Sequence, residues 1–363
     1  MPLPETAGPV MGGACGKDQS FLFTSDGQLY SCGLNACGQL GIGKISEPVQ
    51  NFRQIELEGK CICVSSGKDF AVACNSDGNA FSWGSPEYGQ LGNGTEGKSL
   101  EKAGKYTFEY RVTPKQIEGL RKFDPNCGIV QMVCGMNHVL ARDAEGRLYS
   151  WGFGGYGRLG QGDAKDRLKP EPILAFCNEP APPNPNIPAF AQRIQPKLRA
   201  IHIACGSTAS YAIAGEPFFC LYFWGITKKA GEATLRPTIY DDLQGIKVVD
   251  VSCGFTSTVV ATEDHMIITW GPSPTYGELG YGEKGPKSST KVKEVESLQG
   301  GNYTQGCLAS GYGSSFVLVD TSTEQGKKIV EEASILDLAE PVNKKRATSS
   351  SSKTSEKKTK TQE

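Results

Sequence analysis

The sequence SWGSPEYGQLG at residues 82–92 returns with few changes as SWGFGGYGRLG at residues 150–160. Two further copies read SCGLNACGQLG at 31–41 and TWGPSPTYGELG at 269–280, the last with one extra residue. A segment that recurs along a chain is typical of a structural repeat and not of a single active-site loop. The chain is therefore predicted to consist of repeats.

A second landmark, a Cys-Gly or Ser-Gly pair, recurs in phase with these copies. The pairs are Cys15-Gly16, Ser66-Gly67, Cys134-Gly135, Cys205-Gly206, Cys253-Gly254 and Ser310-Gly311. Their glycines are 51, 68, 71, 48 and 57 residues apart. This spacing is near that of four-stranded propeller blades, stretched in two places by insertions. It predicts five full repeats and one half repeat.

The third repeat shows the strands most clearly. Its predicted strands are IVQMVCG (129–135), HVLARD (138–143), RLYSWG (147–152) and PEPILAF (170–176). The first three are short, apolar or alternating, and are separated by turn residues, as in a blade of a β-propeller. The fold class is therefore predicted to be all-β, with one short helix near residues 328–339, in the segment KKIVEEASILDL.

The tryptophans and glycines of the repeat have a structural interpretation. All four tryptophans come directly before a glycine, in the Trp-Gly pair that opens the repeated segment, and we expect them to pack between blades. They are Trp83, Trp151, Trp224 and Trp270. The glycines of Gly-Gln-Leu-Gly suit turns that need positive φ or close backbone approach. A phosphate-binding glycine loop is not indicated, because no strand–turn–helix context surrounds them.

Cysteine usage and hydropathy point to a soluble intracellular protein. Four of the thirteen cysteines share the position before the landmark glycine, and equivalent positions of neighbouring blades are too far apart for disulfides. We interpret them as small buried residues in a reducing compartment. Cys61 and Cys63 lack a second pair at zinc spacing, so no metal is expected. No apolar run reaches the length of a membrane span.

The sequence offers no catalytic constellation. There are three histidines. His138 follows its Cys-Gly pair at a position expected to pack or hydrogen-bond within a blade, and His265 lies at a turn. No nucleophile–base pair and no polar set around a central channel can be assembled. We therefore predict no covalent chemistry, no cofactor and no small-molecule substrate.

Partner binding is expected in the insertions and the tail. Insertions at 95–127 and 177–197 are long loops on a rigid scaffold, where binding commonly lies, although dispensable loops are the alternative. The tail 343–363 carries seven Lys/Arg and two Glu, a net charge of +5, and is either a solvated end or a nuclear-import or nucleic-acid segment. The candidate partner-binding residues are Lys98, Lys102, Tyr106, Tyr110, Arg111, Arg158 and Glu278, and those of the tail are Lys344, Lys345 and Arg346.

The signature Cys-Gly-x-x-His, Gly-x-Leu-Tyr-Ser-Trp-Gly and Tyr-Gly-x-Leu-Gly resembles the regulator of chromosome condensation family of seven-bladed propellers over residues 12 to about 320. Residues 85–92, 151–160 and 270–290 narrow the likeness to one vertebrate member. A degenerate fourth repeat, Trp224-Gly225 followed by ITKKAGEATLRP, supports it.

The resemblance implies a scaffold that binds small GTPases of Rac or Ral type, with guanine nucleotide exchange as a further activity. It implies microtubule or centromere proteins as further partners, and roles in mitotic progression and cell migration. The implied locations are chromosomes, centromeres, the nucleolus, and the cytoplasm and cytoskeleton including the spindle. The alternative is a chromatin- or nucleosome-binding module. The exchange residues of the Ran-directed founding member cannot be placed here by motif, so GTPase binding is the expected function.

Seven blades are expected from the resemblance, whereas the chain encodes five and a half. Residues 1–11 hold no further copy of the repeat, so we expect about one and a half blades to be missing upstream, as in a truncated isoform or an incomplete gene model. An open ring would expose strand edges and lower solubility. The propeller is assigned to residues 1–326, and the helix with its basic tail to 327–363.

Overall fold

The structure is a computed structural model that describes residues 7–100, 106–121, 124–177, 198–215, 219–227, 232–282, 285–286 and 288–332. Antiparallel β-sheets make up nearly all of it, and within each sheet the strands neighbour one another in chain order. Each four-stranded sheet is one blade. The predicted all-β class is therefore confirmed.

The first three blades are four-stranded. Blade 1 contains β1 (Val10–Cys15), β2 (Gln19–Thr24), β3 (Leu29–Asn35) and β4 (Ser46–Ile55). Blade 2 contains β5 (Cys61–Ser66), β6 (Phe70–Asn75), β7 (Ala80–Gly84) and β10 (Arg111–Gln116). A separate hairpin of β8 (Lys98–Leu100) and β9 (Tyr106–Phe108) projects between β7 and β10. Blade 3 contains β11 (Ile129–Cys134), β12 (His138–Asp143), β13 (Leu148–Gly152) and β14 (Arg167–Pro172).

Two more four-stranded blades and a partial one follow. Blade 4 contains β15 (Ala200–Cys205), β16 (Ala209–Ala214), β17 (Cys220–Gly225) and β18 (Thr234–Ile239). Blade 5 contains β19 (Val248–Cys253), β20 (Thr258–Thr262), β21 (Ile267–Gly271) and β22 (Ser289–Glu294). Blade 6 has two described strands, β23 (Leu308–Ser310) and β24 (Ser315–Val317). The count of five and a half repeats agrees with the sequence prediction.

Successive blades meet through their first strands. β1 contacts β5, β5 contacts β11, and the series continues through β15 and β19 to β23. Apolar side chains of neighbouring blades share one cluster, as where Phe21 and Leu29 of blade 1 join Ala71 and Trp83 of blade 2. Burial of such shared surfaces is the main stabilising term, at about 25 cal/mol per Å² of apolar area. The first strands therefore lie innermost and the blades are arranged radially.

The repeated tryptophan and glycine meet across the blade boundary. The indole N–H of Trp83 in blade 2 donates to the carbonyl of Gln39 in blade 1 at 2.9 Å. Gly41 has φ +71°, and a Cβ there would lie 2.8 Å from the same indole nitrogen. Trp151 repeats the contact with the Gln90 carbonyl at 2.9 Å. We call this contact the tryptophan–glycine joint; it confirms that the tryptophans pack between blades.

The degenerate fourth repeat replaces the joint with aromatic packing. Blade 4 has no Gly-Gln-Leu-Gly turn, and the ring of Trp270 in blade 5 instead packs 4.9 Å from the ring of Tyr240 and 6.3 Å from that of Tyr211. All three side chains are buried. Aromatic pairs at these separations add about 0.5–1.5 kcal/mol beyond their burial. Ring packing therefore takes the place of the tryptophan–glycine joint between blades 4 and 5, together with a hydrogen bond from Oγ1 of Thr258 to the Tyr211 hydroxyl at 3.3 Å.

Two predicted elements differ in the structure. The strand predicted at 170–176 is wrong in its second half, since β14 ends at Pro172 and helix α1 (Leu174–Cys177) follows. The fourth strands of blades 2, 4 and 5 end at the equivalent place, one residue before an N–H that donates back to the third strand, as Ile173 does to the Leu148 carbonyl at 2.8 Å. The helix predicted at 328–339 begins earlier, as α2 (Glu324–Glu332), because Thr323 accepts the N–H of Gly326 at 3.0 Å as an N-terminal cap.

The expected burial of the cysteines before the landmark glycines holds for Cys205 and is incomplete for Cys134 and Cys253, whereas Cys15 is exposed. Cys15 ends β1, and within the described residues no earlier blade packs against that strand. In blade 3, by contrast, the Cys134 N–H donates to Ser65 of the preceding blade at 2.9 Å. All thirteen cysteines are free thiols.

Candidate functional site

One end of the blades collects two kinds of loop. In each four-stranded blade, the turn from first to second strand and the connection from third to fourth strand emerge at the same end of the antiparallel sheet. We call this end the loop face. Its turns bond to each other between blades, as in the N–H of Lys68 to the carbonyl of Met136 at 2.9 Å. A rigid scaffold therefore supports the loops.

The loop face carries the described candidate residues. Arg158 and Glu278 lie in the third-to-fourth-strand connections of blades 3 and 5, and Tyr110 and Arg111 end that of blade 2. Lys98 and Tyr106 lie on the β8–β9 hairpin, which belongs to the same connection. The remaining candidates lie outside the described residues: Lys102, Lys344, Lys345 and Arg346.

Arg158 is a buried cation with neutral partners. It is 4% exposed, its Nε donates to the Gly155 carbonyl at 2.8 Å, and its Nη1 donates to the Ser207 carbonyl of blade 4 at 2.7 Å. The guanidinium lies 4.7 Å from the ring centre of Phe153 and 5.6 Å from that of Tyr156. Burial lowers the pKa of Arg158 to about 10. Arg158 thus joins two blades.

Arg111 and Tyr110 form a second polar group beside blade 1. Nη1 of Arg111 is buried without a hydrogen-bond partner among the described residues. Burial lowers the pKa of Arg111, and the Glu109 carboxylate partly offsets that shift. Burial also raises the pKa of Tyr110, as does the neighbouring Cys37 thiol. A buried guanidinium N–H without an acceptor costs free energy, and since Nη1 has no contact with solvent it is not itself open to a partner.

The β8–β9 hairpin presents a cation over an aromatic ring. Nζ of Lys98 lies 3.9 Å from the ring centre of Tyr106. Both residues are exposed. Such a contact is worth about 0.5–1 kcal/mol at an exposed site. It fixes the direction in which the hairpin presents the two side chains to solvent.

Exposed aromatic side chains gather at one part of the loop face, around a cavity of about 510 Å³. The rings that line it come from blades 3, 5 and 6: Tyr156, Phe255, Tyr276 and Tyr312. Large exposed apolar or aromatic patches are uncommon on monomeric proteins and mark interaction sites. Sequence reasoning selected none of these four rings.

A polar cluster near the first strands was also missed. Nε2 of His202 in blade 4 lies 3.2 Å from Oδ1 of Asp250 in blade 5. Nδ1 of the same imidazole faces the amide nitrogen of Gln131 in blade 3 at 3.1 Å and that of Gln305 in blade 6 at 3.0 Å. The prediction that no polar set would converge on the axis is therefore wrong. Four blades meet at one imidazole.

Hydrogen bonds within the molecule occupy this polar cluster. Asp250 accepts backbone N–H groups of Gly306 at 3.0 Å and Leu308 at 2.9 Å through Oδ2. Burial raises the pKa of Asp250, which His202 and the backbone donors oppose. Burial lowers the pKa of His202, and the Asp250 carboxylate opposes that shift. A neutral imidazole between a carboxylate and two amides satisfies both ring nitrogens, so the cluster connects blades.

A signal in the sequence could have found it. Gln131, His202 and Asp250 all stand three residues before the landmark cysteine of their repeats. In each of these strands the register shifts one residue earlier, as between Ala200 and His202. A β-bulge re-aims the side chain beside it. The polar set becomes visible when the repeats are aligned with one another and the residues at this one position are compared.

His138 corrects a further expectation. Its Nε2 lies 2.9 Å from Oγ of Ser210, so it bonds between blades 3 and 4 and not within one blade. Burial lowers the pKa of His138 well below its usual value, with a smaller contribution from the Arg158 charge. Ser210 in turn donates to the Arg158 carbonyl at 2.9 Å. That carbonyl is therefore taken, and the buried indole N–H of Trp224 has no described partner.

Two kinds of feature are absent from the described ranges. No group of three or more His, Cys, Asp or Glu side chains there could hold a metal ion. No helix within those ranges has the length and apolar character needed to cross a membrane.

Comparison with known proteins supports the repeat assignment. Residues 26–74, 77–142 and 145–213, about half of the chain, match the regulator of chromosome condensation (RCC1) repeat. The chain is 36% identical over 328 residues to the Protein RCC2 homolog of Danio rerio, covering 88% of this chain and 62% of that protein. It is 34% identical over 332 residues to human Protein RCC2, covering 89% and 59%. The chain thus spans about 60% of the length of these relatives.

Solved structures show the same fold. Human WBSCR16 superposes with a TM-score of 0.64 at 19% identity, covering 86% of this chain and 73% of that one. Yeast RCC1 (Prp20), solved with Kap60, superposes with a TM-score of 0.60 at 19% identity, covering 89% and 69%. The likeness that the repeat signature predicted is confirmed. The chain is a member of the regulator of chromosome condensation (RCC1) repeat family, similar to RCC2, the telophase disk protein.

Proposed function

We propose that the protein is a β-propeller scaffold that binds a small GTPase of Rac or Ral type through its loop face. The observation that carries the proposal is that one connection of the loop face holds both the half-buried Arg111 and the exposed Lys98–Tyr106 pair. Arginine and tyrosine are the residue types enriched at the energetic centres of interfaces. A small GTPase as the class of partner is supported by the family, since the structure of Prp20p of Saccharomyces cerevisiae was presented with its binding properties to Gsp1p and histones. The Rac or Ral type rests on the resemblance to RCC2 alone.

Nucleotide exchange is the finer proposal. It requires no covalent step, only a surface that binds the nucleotide-free GTPase more tightly than the nucleotide-bound form. The loops of a propeller suit this task because inter-blade bonds hold them, such as Arg158 to the Ser207 carbonyl. We expect the protein to accelerate release of a fluorescent guanine nucleotide if its affinity for the empty GTPase is the higher one.

A pull-down with nucleotide-free, GDP-loaded and GTP-loaded Rac- and Ral-type GTPases tests the binding proposal. Arg111→Ala should weaken binding about tenfold or more, the range of an interface arginine. Lys115→Ala is the matched control, because Lys115 lies on the same strand β10 but toward its opposite end. Equal effects of the two substitutions, or no binding to either GTPase, would contradict the proposal.

Roles in mitotic progression and cell migration, and locations at the chromosome, centromere, nucleolus, spindle and cytoplasm, form part of the same proposal. They rest on the similarity to RCC2 proteins, which covers about 60% of those proteins. Imaging of the tagged full chain through division would check them. A uniform distribution at every stage of the cell cycle would count against these roles.

Chromatin binding is the second candidate. The observation in its favour is the basic tail, with a net charge of +5 over residues 343–363. Removal of these residues should lower retention on nucleosomes, and retention should fall steeply with salt because phosphate contacts release counterions. Retention unchanged by both the deletion and salt would exclude the tail as the contact.

A further inference from the structure

The aromatic side chains that line the cavity of the loop face are held in place by contacts with each other and with neighbouring backbone. The rings of Phe255 and Tyr312 stack with centres 4.8 Å apart and planes at 27°. Tyr276 packs against Gly313, where a Cβ would lie 2.6 Å from the tyrosine ring. Tyr276 and Tyr312 remain 71% and 64% exposed. Blades 5 and 6 therefore present aromatic rings to solvent. These rings would stabilise the fold more if they were buried.

Backbone strain on the opposite wall supports a role for the rings. Tyr156 has φ +62° and ψ +14°, a left-handed conformation that costs a non-glycine residue about 1–3 kcal/mol. The equivalent residues in the other turns, such as Tyr88, do not adopt positive φ. The strain places a half-exposed ring at the edge of the cavity. Strain of this kind concentrates at sites that bind ligands.

The charge of the wall is one-sided. Among the described residues that line the cavity, Glu278 is the sole carboxylic acid, and none is Lys, Arg or His. Glu278 is 5% exposed. The guanidinium of Arg158 lies over the Tyr156 ring, outside the wall. A cation would therefore be most stable at the end formed by Phe255, Tyr276 and Tyr312, near Glu278 and away from Arg158.

Each carboxylate oxygen of Glu278 already accepts one backbone N–H. Its Oε2 accepts the N–H of Tyr276 at 2.7 Å, and its Oε1 accepts that of Thr275 at 3.2 Å. A bare ammonium needs three hydrogen-bond acceptors, whereas an alkylated ammonium needs none and is attracted to the faces of aromatic rings. The wall therefore suits a cation that presents methyl groups.

We propose that this cavity is an aromatic cage for the trimethyllysine side chain of a partner protein. The faces of the three rings attract the charge, the Glu278 carboxylate adds a fixed negative charge in a low-dielectric wall, and the methyl groups bury apolar surface. A volume of about 510 Å³ holds the side chain with part of its peptide backbone. The cage would bind this cation whether or not the loop face also binds a GTPase.

The test compares three short peptides that differ at one side chain: trimethyllysine, its uncharged carbon isostere, and unmodified lysine. Binding to the full chain is measured by calorimetry or by chemical-shift perturbation. The trimethyllysine peptide should bind about tenfold or more tightly than the other two. Equal binding of the isostere would show a merely apolar pocket, equal binding of lysine would exclude the alkyl preference, and no binding at millimolar peptide would overturn the proposal outright.

Variants of the cage should separate its parts. Tyr276→Leu and Tyr312→Leu should each weaken trimethyllysine binding at least fivefold, while Tyr106→Leu, on the exposed hairpin, should leave it unchanged. These substitutions lie at exposed side chains, so the fold should persist. An unchanged affinity in both cage variants would contradict the proposal.

Glu278→Gln removes the charge and keeps the local fold. Gln90 holds the same place in blade 2, where its Oε1 accepts the N–H of Tyr88 at 2.7 Å, and Gln39 does the same for Cys37 at 2.8 Å. The variant should therefore lower the affinity for trimethyllysine severalfold and leave that for the uncharged isostere unchanged. A parallel loss for both peptides would show that Glu278 acts only through loop structure.

Discussion

At the scale of single residues, the last glycine of the Tyr-Gly-x-Leu-Gly turn meets two demands at once. Gly41 adopts φ +71°, where a side chain is strained, and lies against the indole of Trp83. The two demands explain why this glycine recurs in four repeats and why the tryptophan recurs beside it. The repeated motif therefore contains both partners of one contact: the glycine of one blade packs against the tryptophan of the next.

Gly41→Ala should destabilise the protein more than Gly43→Ala. Both glycines have positive φ in the same loop, but a Cβ at Gly41 would lie 2.8 Å from the indole nitrogen, whereas at Gly43 the nearest described atom is 4.0 Å away. Gly43→Ala should lower the free energy of unfolding by about 1 kcal/mol, from backbone strain alone. Gly41→Ala should lower it by about 2–4 kcal/mol, because overpacking against the indole adds to the strain. Urea unfolding midpoints measure the difference. Equal losses of stability in the two variants would mean that the tryptophan–glycine joint has room for an added methyl group.

Stability should fall on acidification because of His138. Its folded-state pKa is held well below 6.5 by burial, so the unfolded chain binds the proton first as the pH drops below 6.5. Stability is therefore full above that pH and is lost below it, at up to about 1.4 kcal/mol per pH unit for one group. His138→Gln should flatten this slope, and His265→Asn, at an exposed turn, should not. A His138→Gln variant with the wild-type slope would refute the assignment.

At the scale of elements, the sequence predicted the strands well because the repeat supplies six readings of one unit. Errors fell at the ends of elements: β14 ends at Pro172, as the fourth strands of blades 2, 4 and 5 end at their equivalent residues, and the Thr323 cap begins a helix early. The binding surfaces were harder to predict. The cage combines rings from turns of three blades, and no spacing along the chain reports that Phe255 and Tyr312 stack.

The β8–β9 hairpin should be removable without loss of the fold. It forms its own two-stranded sheet, and the residues that flank it are already joined, since the N–H of Glu109 donates to the Gly97 carbonyl at 2.8 Å. Deletion of residues 98–108 should shift the thermal midpoint by no more than about 2 °C, because little buried surface is lost. The same deletion should weaken GTPase binding if the loop face is the interface. A large drop in thermal midpoint would show that the hairpin supports blade 2.

At the scale of the whole molecule, the blades are connected twice: by apolar packing between sheets and by the polar cluster near their first strands. Asp250 bonds His202 of blade 4 and the backbone of blade 6, so one carboxylate links three consecutive blades. Sequence reasoning recovered the packing, because it repeats. It missed the cluster, because Gln131, His202 and Asp250 differ in chemistry although they share a repeat position.

Asp250→Ala should cost about 3–5 kcal/mol, as for a buried ionic group whose partners are left uncompensated. Hydrogen exchange at Gly306 and Leu308 should accelerate, since both N–H groups lose their acceptor. Asp250→Asn keeps one acceptor oxygen and should cost less, while Asp264→Ala, at an exposed turn, should cost little. Exchange rates unchanged in blade 6 would show that Asp250 does not stabilise it.

The tryptophan–glycine joint also determines whether the order of the blades along the chain could be changed. The second and third repeats each carry both halves of the joint, so a duplicated copy of one would find matching neighbours beside the other. The fourth repeat supplies a tryptophan but no glycine, and its tyrosines, Tyr211 and Tyr240, fit the ring of Trp270 that follows. Permuting the gene at that junction would leave rings without partners. The linear order of the repeats is thus recorded in the chemistry of their boundaries, although every blade has nearly the same backbone.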